Sequence, residues 1–191
     1  VGLGGGGRRR VLAAEGGPYV SSGARGMIAV GFGLFPGDAD YQRLRDAFLD
    51  EYERNMCIDT AWFEGIETLV SHLEARQILW GIVTNKAARF ALPLTTQLSI
   101  APRAACVVCG DTTPHTKPHP APLLHAAGLL AVEPARCLYI GDDQRDMRAA
   151  TAAGMRGIAA RYGYIGAGDD PAAWGAEAII DAPLEILTLL R

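Results

Sequence analysis

The chain has 191 residues, a formal net charge of −3, 49% hydrophobic residues and 20% charged ones. That length suits one domain with a small insert and suffices to bury a core. With Arg8-Arg9-Arg10 as its densest basic run, it lacks the electrostatic footprint of a nucleic-acid binder, and it has no apolar run long enough to span a membrane.

Residues 1–19 open on a glycine-rich stretch followed by the three arginines, without an apolar period of 2 or 3.6. Ordering a glycine run costs backbone entropy, and a phosphate-binding glycine loop needs a strand before it and a helix after it. The segment therefore reads as a disordered tail. From Val20 to Ile58 the pattern is helical. Ala24 to Leu34 predicts a short apolar helix, Gly37-Asp38-Ala39-Asp40 predicts a turn, and Tyr41, Leu44, Phe48 and Tyr52 recur at helical spacing. Glu64 to Arg76 predicts an amphipathic helix with Ile66, Leu69, Val70 and Leu73 on one face.

Beyond Arg76 short apolar runs alternate with helical stretches. Ile78 to Val83 predicts a strand ending at Thr84-Asn85, then a helix to about Leu98. Ala104 to Cys109 predicts a second strand. It contains Cys106-Val107-Val108-Cys109, formally a C-x-x-C, but no second ligand pair accompanies it, so the cysteines read as small core thiols. With no signal peptide and no disulfide pattern, Cys57, Cys106, Cys109 and Cys137 fit a reducing cytoplasm. Pro118 and Pro120 suit the start of a helix running to Leu130. Cys137 to Ile140 predicts a strand, Arg145 to Ala153 a helix stopped by Gly154, Gly157 to Arg161 and Ala178 to Ile180 two more strands, and Leu184 to Leu190 a last helix. This alternation predicts an α/β fold with a doubly wound parallel sheet. The organisation is a tail over 1–19, a small helical domain over 20–62 and an α/β core over 63–191.

Such sheets bind ligands at the carboxyl ends of their strands. Three of those ends carry polar residues: Thr84 and Asn85, then Lys117 in a loop before a helix, then Asp142, Asp143 and Asp146. A hydroxyl, an ammonium and a carboxylate cluster suit phosphoryl transfer. Thr84 donates to a phosphate oxygen, Lys117 offsets charge in the transition state, and the carboxylates hold Mg²⁺, a hard cation that takes oxygen ligands. Singly, each has a plainer reading: a turn or cap for Thr84, a solvated side chain for Lys117, and helix caps for Asp142 and Asp143. Their order on alternating strands favours the chemical one.

In that order the residues resemble the haloacid dehalogenase (HAD) phosphatases, specifically the phosphoglycolate phosphatase-like group. Ile82-Val83-Thr84-Asn85 is similar to that family's second motif, Thr116-Lys117-Pro118 to its third and Gly141-Asp142-Asp143-Gln144-Arg145-Asp146 to its fourth. The resemblance covers roughly residues 20–191. It implies a Rossmann-like core with a small helical cap, Mg²⁺ as cofactor and a small phosphorylated metabolite as partner. It also implies Thr84, Asn85 and Lys117 on the phosphate, Asp142 as direct metal ligand, and Asp143 or Asp146 acting through water. Within the group, Val20 to Arg25, Trp80 to Lys86, Arg161 to Ile165 and Asp170-Pro171-Ala172-Ala173-Trp174-Gly175-Ala176 resemble the N-acetylmuramic acid 6-phosphate phosphatase branch. That substrate and phosphoglycolate both carry a carboxylate near the ester, and Arg25 is the candidate to bind it, because guanidinium matches carboxylate geometry.

The family's first motif, Asp-x-Asp-Gly-Thr on a strand, supplies the nucleophile that forms an aspartyl-phosphate. It does not occur in the 191 residues. Asp38-Ala39-Asp40 has the spacing, but Pro36-Gly37 precedes it and Tyr41-Gln42 follows it. In the family the motif precedes the segment matching Val20 to Arg25, and its strand lies between those ending at Thr84 and Asp142. Truncation or a wrong start site is the expected cause, with an inactive chain as the result. The alternative is a non-catalytic phosphate-binding or regulatory module. A phospho-accepting receiver domain does not fit, because receivers place the acidic pair first.

Overall fold

The computed structural model describes Tyr19, residues 23–166 and residues 168–190. The expected tail over 1–19, Tyr19 aside, and the segment Val20-Ser21-Ser22 lie outside the described residues. The chain divides into two compact units, one comprising the residues up to Asp59 with Tyr164–Asp169, the other Thr60–Gly163 with the residues from Asp170 on.

In the first unit α1 (Gly23–Phe32) packs against α2 (Tyr41–Asn55). Ile28 of α1 is fully buried and Tyr41 of α2 nearly so. Leu44, Phe48 and Tyr52 continue the Tyr41 face half-buried, and the rings of Phe48 and Tyr52 stack with centroids 6.3 Å apart. The turn before α2 is made by Asp38. Its carboxylate accepts from the Phe35 N–H at 2.6 Å, and its carbonyl accepts from the Tyr41 N–H at 3.1 Å.

The second unit is built on parallel strands. β1 (Gly81–Val83) pairs with β2 (Cys106–Val108), with Gly81 opposite Cys106 and Val83 opposite Val108. β3 (Leu138–Gly141), β4 (Arg156–Ala160) and β5 (Ala178–Ile180) form a second parallel set in that order. Among the described residues β1 and β3 do not pair, and a cavity of about 250 Å³ lies between them, lined by Gly81, Ile82, Val83, Leu138, Tyr139 and Ile140.

Helices cover both faces. The others are α3 (Ile66–Ala75), α4 (Ala88–Gln97), α5 (Ala121–Leu129), α6 (Gln144–Ala153) and α7 (Ile186–Leu189). On one face Leu69 and Leu73 of α3 and Ile186 of α7 close over Ile158, Ala160 and Ile180, joined by Leu138 and Ile140. On the other Leu123 of α5 and Ala149, Ala150 and Ala153 of α6 close over Val83 and Tyr139. Successive strand residues point to opposite faces, so Leu138 and Ile140 enter one core and Tyr139 the other.

The first strand starts later than its apolar run suggests. The Ile78 N–H bonds back to Leu73 O, in the last turn of α3, at 2.9 Å, so Ile78 fills the core without joining a ladder. α6 carries a capping box, with Asp143 at the N-cap and Asp146 at N3, and stops at Gly154 with φ 72°. All four cysteines are free, and Cys106 and Cys109 are buried. Burial pushes the Cys106 thiol above its ordinary pKa, as a core thiol requires. No helix among the described residues is long and apolar enough to cross a membrane.

Candidate active site at the carboxyl ends of β1 and β3

The Thr84 N–H continues the β1–β2 ladder by bonding Val108 O at 2.9 Å. That fixes the side chain at the strand end. Thr84 Oγ1 accepts from the Lys86 N–H at 3.1 Å and keeps its own O–H to donate.

Asn85, the next residue, grips the loop that carries Lys117. Asn85 Oδ1 accepts from the Lys117 N–H and Asn85 Nδ2 donates to Lys117 O, both at 2.9 Å. These two bonds pin the backbone of the lysine. The Lys117 side chain runs to an almost dry position. Its Nζ lies 2.8 Å from Asp146 Oδ1, with side chains only 11% and 7% exposed. It also donates to Val83 O at 3.0 Å and to the Tyr139 hydroxyl at 2.7 Å.

The three aspartates after β3 have different partners. Asp143 caps α6 by accepting from the Arg145 N–H at 2.8 Å and takes the Arg145 guanidinium on both oxygens, at 2.8 and 2.6 Å. That guanidinium, helped by the backbone bond and opposed by burial, holds the Asp143 carboxyl below its usual pKa. Asp146 pairs with Lys117 and accepts from the Asp143 N–H at 3.2 Å. Asp142 lies against Gly163, where a Cβ would collide with the Asp142 side chain; a Cβ at Gly141 would collide with Asp146 in the same way. Both glycines make room for acids.

Tyr139 was read from the sequence as a strand residue only. Its hydroxyl donates to Val83 O at 3.0 Å and accepts from Lys117. Burial, then the charges of Asp146 and Asp142, raises its pKa well above the ordinary value, so it stays a neutral hydroxyl. A phenol placed between two aliphatic residues, three before Asp142, was the available signal, since a buried Tyr O–H needs a partner.

Among the described residues no three His, Cys, Asp or Glu side chains converge as a metal-holding group. The oxygen donors match Mg²⁺ in kind, but Asp143 and Asp146 each face a cation, so these residues do not complete a metal site by themselves. Arg25 lies exposed on α1, in the first unit. Asp38 and Asp40 sit in the turn before α2, the latter ion-paired with Arg43.

The arrangement, a buried ammonium paired with a carboxylate and bonded to the carbonyl next to a strand-end hydroxyl, is suited to an anionic ligand held with a cation. A profile of the family described as "Haloacid dehalogenase-like hydrolase" matches residues 33–160. The chain is 42% identical over 167 residues to an N-acetylmuramic acid 6-phosphate phosphatase of Pseudomonas putida, covering 87% of this chain and 75% of the relative. It is 40% identical over 169 residues to a phosphoglycolate phosphatase of Xanthomonas campestris pv. campestris, covering 88% and 76%. A crystal structure from Haemophilus somnus, described as a "predicted phosphoglycolate phosphatase", superposes with a TM-score of 0.84 at 21% identity, covering 97% of this chain and 85% of that one; at that identity the likeness concerns the fold.

Proposed function

Because the chain belongs to the haloacid dehalogenase-like hydrolase family, we propose that its site binds a small phosphate monoester together with Mg²⁺, phosphoglycolate and N-acetylmuramic acid 6-phosphate being the first substrates to test. The observation that carries this reading is the Lys117 ammonium, held nearly dry against Asp146 and against the carbonyl of Val83, the residue before Thr84. An ammonium fixed there is a preorganised positive charge for a phosphate once a bound cation offsets Asp146 and its neighbours. Thr84 donates its O–H to a phosphate oxygen.

Charge supports the metal. Three carboxylates, Asp142, Asp143 and Asp146, against two cations, Lys117 and Arg145, leave this cluster a formal −1, which repels a phosphate dianion. Asp142 is the proposed anionic ligand. When bound, Mg²⁺ supplies the positive field that lets phosphate and carboxylate share the site.

Turnover through an aspartyl-phosphate needs a nucleophile that these 191 residues do not present in the family's first motif. The proposed behaviour is therefore binding without hydrolysis, which also describes a non-catalytic phosphate-binding or regulatory module. The free, buried thiols suit a cytoplasmic location.

The test combines phosphate release from both esters with a calorimetric titration of inorganic phosphate, each with and without Mg²⁺. The expected result is Mg²⁺-dependent phosphate binding and no release. Turnover abolished by Asp142→Asn would overturn the inactive reading; no phosphate binding at any Mg²⁺ concentration would overturn the site itself.

A further inference from the structure

An ammonium has three N–H donors, and at Lys117 each meets an acceptor: Val83 O at 3.0 Å, the Tyr139 hydroxyl at 2.7 Å and Asp146 Oδ1 at 2.8 Å. The phenol closes the set by donating to Val83 O at 3.0 Å, so carbonyl, phenol and ammonium form a triangle. The three acceptors differ in kind. Asp146 is the ionic partner of the ammonium. Val83 O belongs to the strand and cannot move on its own. Tyr139 alone is an uncharged side-chain acceptor, so it directs the ammonium without cancelling its charge.

The ring is well placed to act as a strut. It stands on β3, packs in the core of Leu123, Ala149, Ala150 and Ala153, and lies 5.4 Å from Lys117 Nζ at its centroid. A lysine stem has four flexible carbons and loses much rotamer freedom when fixed. Asn85 already fixes the Lys117 backbone; the far end needs its own anchor.

We propose that Tyr139 is a positioning residue that holds the Lys117 ammonium in the place from which its charge acts on the bound anion, an assignment that rests on the phosphate-binding reading of this site. The phenol does not touch phosphate. It acts through the lysine.

The test is a lysine side-chain nitrogen–proton NMR spectrum of the 191-residue chain, recorded cold and at mildly acidic pH, where proton exchange is slow enough for ammonium signals to be seen. A resolved Lys117 signal is expected, assigned by its loss in Lys117→Met. In Tyr139→Phe, which keeps the ring, that signal should shift or vanish while unfolding stays cooperative. Inorganic phosphate with Mg²⁺ should bind about three- to tenfold more weakly, the effect of roughly one hydrogen bond. An unchanged Lys117 signal with unchanged phosphate affinity would overturn the proposal. Lys117→Met reads the pair from the other side: the Tyr139 ring signals should move, and unmoved signals count against the assignment even if Tyr139→Phe does not fold. If the Lys117 signal responds but the unaltered chain binds no phosphate, the strut stands and the phosphate reading fails.

Discussion

Arg43 and Asp40 on the α2 side of the molecule meet at 3.0 Å, and Lys117 and Asp146 at the site meet at 2.8 Å. The first pair is 70% and 64% exposed, the second 11% and 7%. Distance scarcely separates them; water does. An exposed pair is screened and offsets its own entropy cost, whereas a buried one is held by the penalty of leaving either charge alone. The helical unit therefore wears its charges as surface, while the α/β unit builds its site around one. Asp143 and Arg145, at 22% and 41% exposure, stand between the two cases.

The largest expected effect follows from removing one buried partner. Asp146→Ala leaves the Lys117 ammonium uncompensated and should lower stability by about 3–5 kcal/mol, read from the midpoint and slope of urea unfolding. A loss below about 1 kcal/mol would erase the contrast. The intermediate pair gives a pH effect. Because Arg145 depresses the Asp143 carboxyl, the group contributes stability that is fully present above the unfolded carboxylate pKa of about 4 and is lost as pH falls through the lower folded value. Asp143→Asn keeps a good cap residue and should flatten the acid limb of the stability curve; superimposable acid limbs would show that the Arg145 contact does not couple to folding. The smallest effect belongs to the surface. Arg43→Ala should change stability by less than about 0.5 kcal/mol, and the difference should shrink as salt rises. A loss above about 1 kcal/mol, persisting in high salt, would mean that the α2 pair is not solvated as its exposure indicates.

Much of this could be read along the chain. Short aliphatic runs between helical stretches announce the parallel strands, and Thr84, Lys117 and Asp142 stand at or near strand ends because polar residues interrupt those runs. The division of labour among neighbours was not legible. Asp143 and Asp146 are both acids at the start of a helix, one at the N-cap and one in the first turn, and only the capping box and the approach of Lys117 decide that one takes Arg145 and the other the ammonium. The contact of Asn85 with the Lys117 backbone spans 32 positions and has no local mark in the sequence. Tyr164–Asp169 grouping with the first unit has no local mark either, since a segment's allegiance depends on long-range contacts that no periodicity records.

The opposite facing of Leu138, Tyr139 and Ile140 makes the chemistry hostage to parity. In a strand of period 2, a one-residue slip exchanges faces throughout. Deleting or inserting a single residue within β3 would preserve its composition closely, yet send the phenol toward α3 and an aliphatic side chain toward Lys117. Insertions of one residue should thus be far more damaging here than conservative substitutions, and an even-numbered change would be needed to return each side chain to its own face.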